Sequence, residues 1–350
     1  MSNIVFEKVN LENQNIENKV KIFLNKFDLK YSNIDCTIIA WEANEIIGVC
    51  SKNKNIIKNI AVDDSQKGLG LFNQLLSEIK KQIIIENYNN TFVITKKCNK
   101  KFFEDINFKK IYENDKIAFL AENIDEYNNY KKFVNNSKFC KKTGVILLNA
   151  NPLTKGHQFL IEESRKENDL TVLIPVIDDS SFFTTKERLE ILSANYQNSK
   201  DIKIFEGTQF LISKKLFPSY FIKSDEDVIT EESEMNAWLF KDIFSEQVKS
   251  GNTITRYLGS EPFSKTTNKY NEFIQHLYEK DALKIKVKIV ERYTNKNNDI
   301  ISASKVRKLI YDEQIDKLKD FVSDETFKLI TKDEIIERAQ AKPELIFKNN

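Results

Sequence analysis

Residues 149–157 have the composition of a phosphate-binding turn, Asn-Ala-Asn-Pro-Leu-Thr-Lys-Gly-His. They follow the apolar run 145–148 and precede a helical pattern that starts near Gln158. A tight turn between a strand and a helix directs main-chain N–H groups at an anion, and Gly156 lets the chain approach closely because it has no Cβ atom. His157 can add a side-chain donor where charge develops on a phosphate oxygen. Taken alone, the pattern fits a helix-capping turn equally well.

A second segment, Ile301-Ser-Ala-Ser-Lys-Val-Arg307, has residue types that suit a polyphosphate. Ser302 is a natural N-cap, Ser304 falls in the first helical turn, and Arg307 can reach back to an anion at the helix end. Two hydroxyls, free N–H groups and a guanidinium at one helix N-terminus predict a polyphosphate clamp. An ordinary capped helix with a surface arginine is the alternative.

Alternating strands and helices predict a doubly wound parallel sheet for residues 141–350. The expected strands are 145–148, 170–177, 202–205, 253–258 and 285–290. The helical patterns between them cover 157–167, 186–195, 209–216, 235–248 and 265–280. Ligands in such sheets bind beyond the carboxyl ends of the strands. Both motifs follow such ends, so we expect them to share a cleft.

Residues 1–140 predict a separate α+β domain with its own anion-binding loop. A helical face at 16–27 precedes β-type runs at 37–41, 45–50 and 56–62; further strands are expected at 91–95 and 110–120. After the run 56–62 comes Gln66-Lys-Gly-Leu-Gly70, which is followed by a helix. Main-chain N–H groups of this loop and the helix end would bind a pyrophosphate such as that of coenzyme A, with Gln66, Gly68 and Gly70 as candidates. A glycine-relaxed turn without a ligand is the alternative. No carboxylate or histidine stands out as a general base, so we expect binding rather than catalysis.

Length and composition predict a two-domain protein in the cytoplasm. The chain has 350 residues, more than one ordinary core, and the polar stretch 125–142 places the boundary near residue 140. A net charge of +2 gives no electrostatic case for nucleic acid or an anionic membrane. The 4 cysteines have no C-x-x-C spacing, which favours reduced thiols over zinc or disulfides. We find neither a signal-peptide core nor an apolar run of membrane-spanning length.

The two halves resemble two known families. The strand, the loop at Gln66–Gly70 and the following helix resemble the pyrophosphate loop of the GNAT acetyltransferases. The turn at 149–157 together with the segment 301–307 resembles the HxGH nucleotidyltransferase superfamily, whose members attack the α-phosphate of a nucleoside triphosphate and expel pyrophosphate. This chain departs from that pattern at Thr154, which stands where the first histidine would be.

Further segments resemble the citrate lyase ligase family over essentially the whole chain. They are Phe217-Pro-Ser-Tyr-Phe221, Gly259-Ser-Glu-Pro262 and Tyr270-Asn271, which lie in order between the two motifs. This resemblance implies that ATP and acetate give acetyl-AMP and pyrophosphate. The acetyl group then passes to the thiol of the phosphoribosyl-dephospho-CoA group on the citrate lyase acyl carrier subunit. Mg²⁺ is expected with ATP, although its ligands cannot be identified from spacing.

The resemblance also implies roles for individual residues. His157 and Thr154 would contact the phosphates near the reacting centre. The β- and γ-phosphates would be held by Ser302, Ser304 and Arg307. Further candidates for contact with nucleotide or substrate are Asn151, Pro152, Lys155, Gly156 and Glu261, of which Glu261 suits a cap equally well; Arg188 is a secondary candidate. The composition of the loop Gln66–Gly70 itself motivates a further hypothesis, that this loop binds the CoA-like arm or its carrier protein.

Two other functions remain open. A plain nucleotidyltransferase acting on a small phosphorylated substrate, such as pantetheine phosphate or nicotinamide mononucleotide, would share both motifs but would not explain the GNAT-like half. A non-catalytic nucleotide sensor whose N-terminal domain binds a partner is the second alternative, and Thr154 in place of histidine is consistent with it.

Overall fold

The structure, a computed structural model, describes residues 4–9, 13–177, 181–211, 221–222, 225–260, 265–279, 285–291, 293 and 301–347. The chain divides into two compact units. The first comprises Met1–Asn128 and Phe217–Glu231, and the second comprises Asn129–Leu216 and Glu232–Asn350. The first unit therefore includes Phe217–Glu231, which we call the return segment and which no sequence pattern indicated. Within the described residues, no helix is both long and apolar enough to cross a membrane.

The described strands of the first unit form one seven-stranded sheet in the order β1-β2-β3-β4-β5-β7-β6. The strands are β1 (Val5–Lys8), β2 (Cys36–Glu42), β3 (Glu45–Asn53), β4 (Ile56–Val62), β5 (Phe92–Lys96), β6 (Lys109–Glu113) and β7 (Ile117–Ala121). The helices that begin in this unit before the return segment are α1 (Gln14–Asn25), α2 (Leu71–Ile85), α3 (Lys100–Glu104) and α4 (Asp125–Asn136). Neighbouring strands are antiparallel except for the parallel pair β4 and β5. The helix expected after the glycine loop packs on the sheet through its buried face, Leu75, Leu76, Ile79 and Ile83.

The single strand expected over 110–120 is wrong, because a turn divides it into β6 and β7. The Asn114 side-chain oxygen accepts the main-chain N–H groups of Lys116 and Ile117, at 2.9 and 2.8 Å, which closes the turn. The same turn holds the return segment. Asn114 Nδ2 donates to a carboxylate oxygen of Glu231 at 2.7 Å, and Lys116 Nζ lies 3.1 Å from Glu231 and 3.3 Å from Asp227.

The second unit contains a five-stranded, fully parallel sheet in the order β10-β9-β8-β11-β12. Its strands are β8 (Lys142–Leu148), β9 (Leu170–Pro175), β10 (Ile202–Ile204), β11 (Thr253–Gly259) and β12 (Lys286–Val290). The helices of the second part of the chain are α5 (Lys155–Glu167), α6 (Thr185–Tyr196), α7 (Asp225–Lys249), α8 (Lys265–Glu279), α9 (Ala303–Tyr311), α10 (Asp324–Ile330), α11 (Asp333–Ala341) and α12 (Pro343–Phe347). Helix α7 begins in the return segment. The doubly wound parallel arrangement expected from the sequence is confirmed. Most of the helix expected at 209–216 lies outside the described residues.

The strand order reverses between β8 and β11, and this reversal opens a crevice at the carboxyl ends of both strands. Helix α5 is held directly against β8 because Gly144 has no side chain. A Cβ atom at Gly144 would stand 2.0 Å from the Ser164 hydroxyl, which hydrogen-bonds with Thr171 at 2.9 Å. This close packing places the N-terminus of α5 over the crevice.

Candidate active site

A cavity of about 390 Å³ lies in the crevice of the second unit. The first motif lines it with Asn149, Ala150, Asn151, Thr154, Gly156 and His157, and the second motif lines it with residues 301–304. The two segments are therefore brought into one cleft. A Cβ atom on Gly156 would lie 3.4 Å from the Ile301 carbonyl oxygen, so the two motifs pack against each other directly.

Thr154 orients His157 within a reciprocal capping box at the start of α5. The main-chain N–H of Thr154 donates to His157 Nδ1 at 3.1 Å, and the Thr154 hydroxyl lies 2.9 Å from the same nitrogen. Because a main-chain N–H can only donate, Nδ1 accepts, and the proton of the neutral ring is on Nε2. The ring therefore brings an N–H donor to the cavity wall.

Thr154 borders the cavity beside His157, and its predicted contact with a phosphate stays a prediction. The residue is 1% exposed, and its hydroxyl also accepts the main-chain N–H of His157 at 3.5 Å. The hydroxyl is thus engaged by His157 on both sides, and its observed partners are within the turn. The geometry makes Thr154 a support for the histidine.

Two helix N-termini face the same cavity. In the described part of the chain, the main-chain N–H groups of Gly156, Ala303 and Ser304 have no hydrogen-bond acceptor. Ser302 caps α9 by accepting the Lys305 N–H at 3.1 Å, which leaves its own hydroxyl hydrogen available to donate. Free N–H groups and the partial positive charge of each helix end favour an anion with several phosphates.

Arg307 lies behind the cavity wall and joins the two motifs. Its side chain is 0% exposed; one terminal nitrogen donates to the Asn151 carbonyl at 2.8 Å and the other to the Ser304 hydroxyl at 3.3 Å. Burial lowers its pKa to about 10, so it is still charged at neutral pH. Arg307 falls on the buried face of α9 together with Val306 and Ile310. Arg307 is not among the described residues of the cavity wall, and its predicted hold on the β- and γ-phosphates stays a prediction.

The remaining candidates of the first motif differ in position. Asn151 borders the cavity, and its side-chain oxygen accepts the Phe183 N–H at 2.9 Å. Pro152 is buried and is not part of the cavity wall. Lys155 is also outside the wall, because its ammonium group donates to the Lys319 carbonyl at 2.7 Å. Glu261 lies outside the described residues, as do residues 217–220 of the segment 217–221.

Sequence reasoning missed two features of this wall. Phe159 and Tyr293 stack with ring centroids 5.2 Å apart at 30°, and both border the cavity. Nothing in the sequence connects these two rings, which are far apart along the chain. Glu291, which follows β12, is the carboxylate among the described residues of the wall.

Arg188 was expected only as a secondary candidate, yet it is 0% exposed. It lies on the same face of α6 as Ile191 and Leu192, so helical periodicity does contain a signal for its burial.

The first unit contains a larger cavity, of about 760 Å³. It arises because β4 and β5 pair only at Ile56 with Phe92 and at Ile57 with Val93 and then separate. The separated ends of the two strands, residues 60–62 and 95–96, line the opening.

The glycine loop also lines this cavity, through Gln66, Gly68 and Gly70. Gly68 and Gly70 have φ values of 79° and 81°, which favour glycine, and a Cβ atom on either would meet nothing within 4 Å. Backbone conformation, and not space, therefore requires glycine in the loop. Gly70 is the N-cap of α2, so the loop leads directly into a helix N-terminus.

The wall of this cavity combines cations with apolar rings. Lys67 and Lys96 border it together with Phe72 and Phe103, while Asp105 is the carboxylate among its described lining residues. Such a wall suits a ligand with an anionic head and a slender apolar arm. The described lining contains no histidine.

Comparison with known proteins assigns each half to a family. A citrate lyase ligase C-terminal domain matches residues 143–330, and an acetyltransferase (GNAT) domain matches residues 17–119. The chain is 30% identical over 338 residues to the citrate (pro-3S)-lyase ligase of Haemophilus influenzae, which covers 93% of this chain and 98% of that relative. Against the ligase of Klebsiella pneumoniae the identity is 31% over 281 residues, covering 79% of this chain and 81% of the relative. The expected GNAT-like front half and the expected resemblance of the whole chain to citrate lyase ligases are confirmed, and the chain belongs to the citrate lyase ligase family.

Proposed function

We propose that this protein activates acetate with ATP and acetylates the thiol of the phosphoribosyl-dephospho-CoA arm on the citrate lyase acyl carrier subunit. The observation that carries the proposal is the meeting of His157 with the N-termini of α5 and α9 around one cavity. The relatives are named as ligases of citrate lyase, which supports a ligase that acts on that enzyme.

In the first step an acetate oxygen forms a bond to the α-phosphorus of ATP. The bond from that phosphorus to the bridging oxygen breaks, and its electron pair leaves with pyrophosphate. The His157 Nε2–H and the Gly156 N–H would stabilise the charge that develops on the transferred group. Ser302, Ser304 and the N-terminus of α9 would hold the outer phosphates.

The rest of the cavity suits the remaining parts of the nucleotide. The stacked pair Phe159 and Tyr293 offers a flat apolar surface for a nucleobase. Mg²⁺ bound with ATP takes most of its ligands from phosphates and water, and Glu291 is the wall carboxylate that could assist. Groups of three or more side chains able to hold a metal are not found among the described residues.

In the second step the thiol sulfur attacks the acetyl carbonyl carbon of acetyl-AMP. The carbon–oxygen bond to AMP breaks, AMP leaves with the electron pair, and the thiol proton is released. The cavity of the first unit would bind the CoA-like arm, with its pyrophosphate at the loop Gln66–Gly70 and its apolar part between Phe72 and Phe103.

The proposed first step is tested by isotope exchange. We expect labelled pyrophosphate to enter ATP only when acetate is present, and AMP to accumulate once the deacetylated carrier is added. Exchange that requires pantetheine phosphate or nicotinamide mononucleotide in place of acetate would instead identify a plain nucleotidyltransferase. ATP binding without exchange or AMP formation would identify a nucleotide sensor.

The role of the first unit is tested by replacing both Gly68 and Gly70 with valine. A β-branched residue is strained at their φ values, so the loop should lose its anion-binding shape. We expect acetate-dependent exchange to change less than about twofold, while acetyl transfer to the carrier falls at least about tenfold. Gly251→Val is the matched control, because Gly251 has a similar φ of 88° outside this cavity. Unchanged transfer in the double variant would exclude this role for the loop.

A further inference from the structure

We propose that Asn149 binds the carboxylate of the acid substrate and that the buried Arg188 is the positioning residue that fixes its amide. The inference rests on the proposed function and identifies the carboxylate subsite within the same cavity. Asn149 directly follows β8, is half-buried and borders the cavity. It opens the turn 149–157, but it was not among the individual binding candidates predicted within that turn.

The hydrogen bonds of Asn149 determine which end of its amide is available. Its side-chain oxygen accepts from Arg188 Nη1 at 2.8 Å and from the Ser181 hydroxyl at 3.4 Å. Its main-chain oxygen accepts from the same Arg188 nitrogen at 2.9 Å. The side-chain NH2 group has no acceptor in the described part of the chain. The amide therefore presents a donor of fixed orientation in a residue of the cavity wall.

Arg188 is well suited to hold this orientation. It is 0% exposed and is not part of the cavity wall. Besides Asn149, it donates to the Val176 carbonyl at 2.7 Å and to the Thr185 hydroxyl at 3.0 Å. It thus ties the ends of β8 and β9 to the start of α6. Its positive charge polarises the Asn149 amide from behind without touching a substrate in the cavity.

A neutral donor backed by a buried cation suits a carboxylate that must act as a nucleophile. A direct ion pair would stabilise the carboxylate charge and lower the basicity of the attacking oxygen. An amide can instead hold one oxygen and leave the other to attack. The helix N-termini at Gly156 and at 303–304 already provide donors for the phosphates. Ala150, next in the chain, borders the cavity with a methyl-sized side chain that leaves room for a small acid.

The experiment measures acetate and ATP separately in the full-length protein. Asn149→Ala removes the donor from a half-buried position, so folding should be retained and is checked by thermal melting. We expect the KM for acetate in pyrophosphate exchange to rise at least about tenfold, because a hydrogen bond to a charged group is lost. Acetate binding in the presence of a non-hydrolysable ATP analogue, followed by NMR, should weaken in parallel. The Kd of that analogue should change less than about twofold.

Two further variants sharpen the test. Asn149→Asp keeps the shape of the side chain but adds a like charge, so it should raise the KM for acetate more than Asn149→Ala does. Arg188→Lys cannot hold the same set of acceptors and should raise the KM for acetate with little change in kcat. A merely structural role of Arg188 would lower the melting temperature and kcat without this selectivity for acetate. Asn198→Ala, at an exposed position after α6, is the control.

The outcomes separate this proposal from the function it rests on. Acetate-dependent exchange with an unchanged KM for acetate in Asn149→Ala would overturn the subsite and leave the proposed function standing. Weaker binding of the ATP analogue with an unchanged KM for acetate would assign Asn149 to the nucleotide and also overturn it. If the unaltered protein shows no exchange and binds no acetate, both the carboxylate subsite and the proposed function are overturned.

Discussion

Replacing His157 with alanine is expected to lower the kcat of acetate-dependent pyrophosphate exchange by about 10²–10³-fold, the usual effect of removing one preorganised donor from a developing oxyanion. Thr154 fixes the ring so that Nε2–H is the donating end. The N–H groups of the helix ends stay in place, so the Kd of an ATP analogue should change only a few-fold. His157→Gln retains an acceptor for the capping box and an amide donor, and it should recover part of the rate.

The matched control is the second histidine of the chain. His276 is exposed on α8 and is not part of the cavity wall, so His276→Ala should exchange at the rate of the unaltered protein. Exchange is followed with labelled pyrophosphate at saturating ATP and acetate. A His157→Ala variant that retains more than about a tenth of the rate would contradict a transition-state role for this side chain.

Replacing Arg307 with methionine is expected to damage activity far more than stability. Burial lowers the pKa of Arg307 to about 10, so its charged form costs folding free energy at neutral pH, and methionine removes that cost. The substitution also leaves the buried Asn151 carbonyl without the donor that Arg307 supplies. These effects oppose each other, so the free energy of unfolding should change by less than about 2 kcal/mol.

The loss of activity in Arg307→Met follows from the geometry of the two motifs. Without the guanidinium, Asn151 and Ser304 are no longer held by a common group, and a misplacement near 1 Å costs about 10²-fold in rate. We therefore expect exchange to fall about 100-fold and the affinity for an ATP analogue to fall with it. Arg165→Met on α5 is the control, since Arg165 pairs with Asp201 away from the cavity. Full exchange activity in Arg307→Met would show that this link is dispensable.

The sequence predicts those features that depend on local signals. The turn at 149–157, the serine N-cap at Ser302 and the alternation of strands and helices each follow from a few neighbouring residues, and together they place both motifs at one edge of the sheet. The glycine loop at 66–70 likewise follows from a strand, two glycines and an apolar helical face.

Other features depend on partners that a sequence pattern does not reveal. The burial of Arg307 is decided by the Asn151 carbonyl, 156 residues away, which offers a buried acceptor. The engagement of Thr154 with His157 depends on which rotamers the capping box selects. The stack of Phe159 on Tyr293 joins rings with no shared periodicity. The short helices α10, α11 and α12 were not predicted, because each spans too few turns to show a clear repeat.

The return segment bears on how such a protein could have been assembled from ancestral genes. An open reading frame ended near residue 140 would encode Asn114 and Lys116 but not the acidic residues Asp227 and Glu231 that they contact. A single recombination crossover between the two coding regions would therefore not transfer a complete front unit. Loss or gain of the complete front unit would require a second recombination crossover, within the DNA that encodes the rear half.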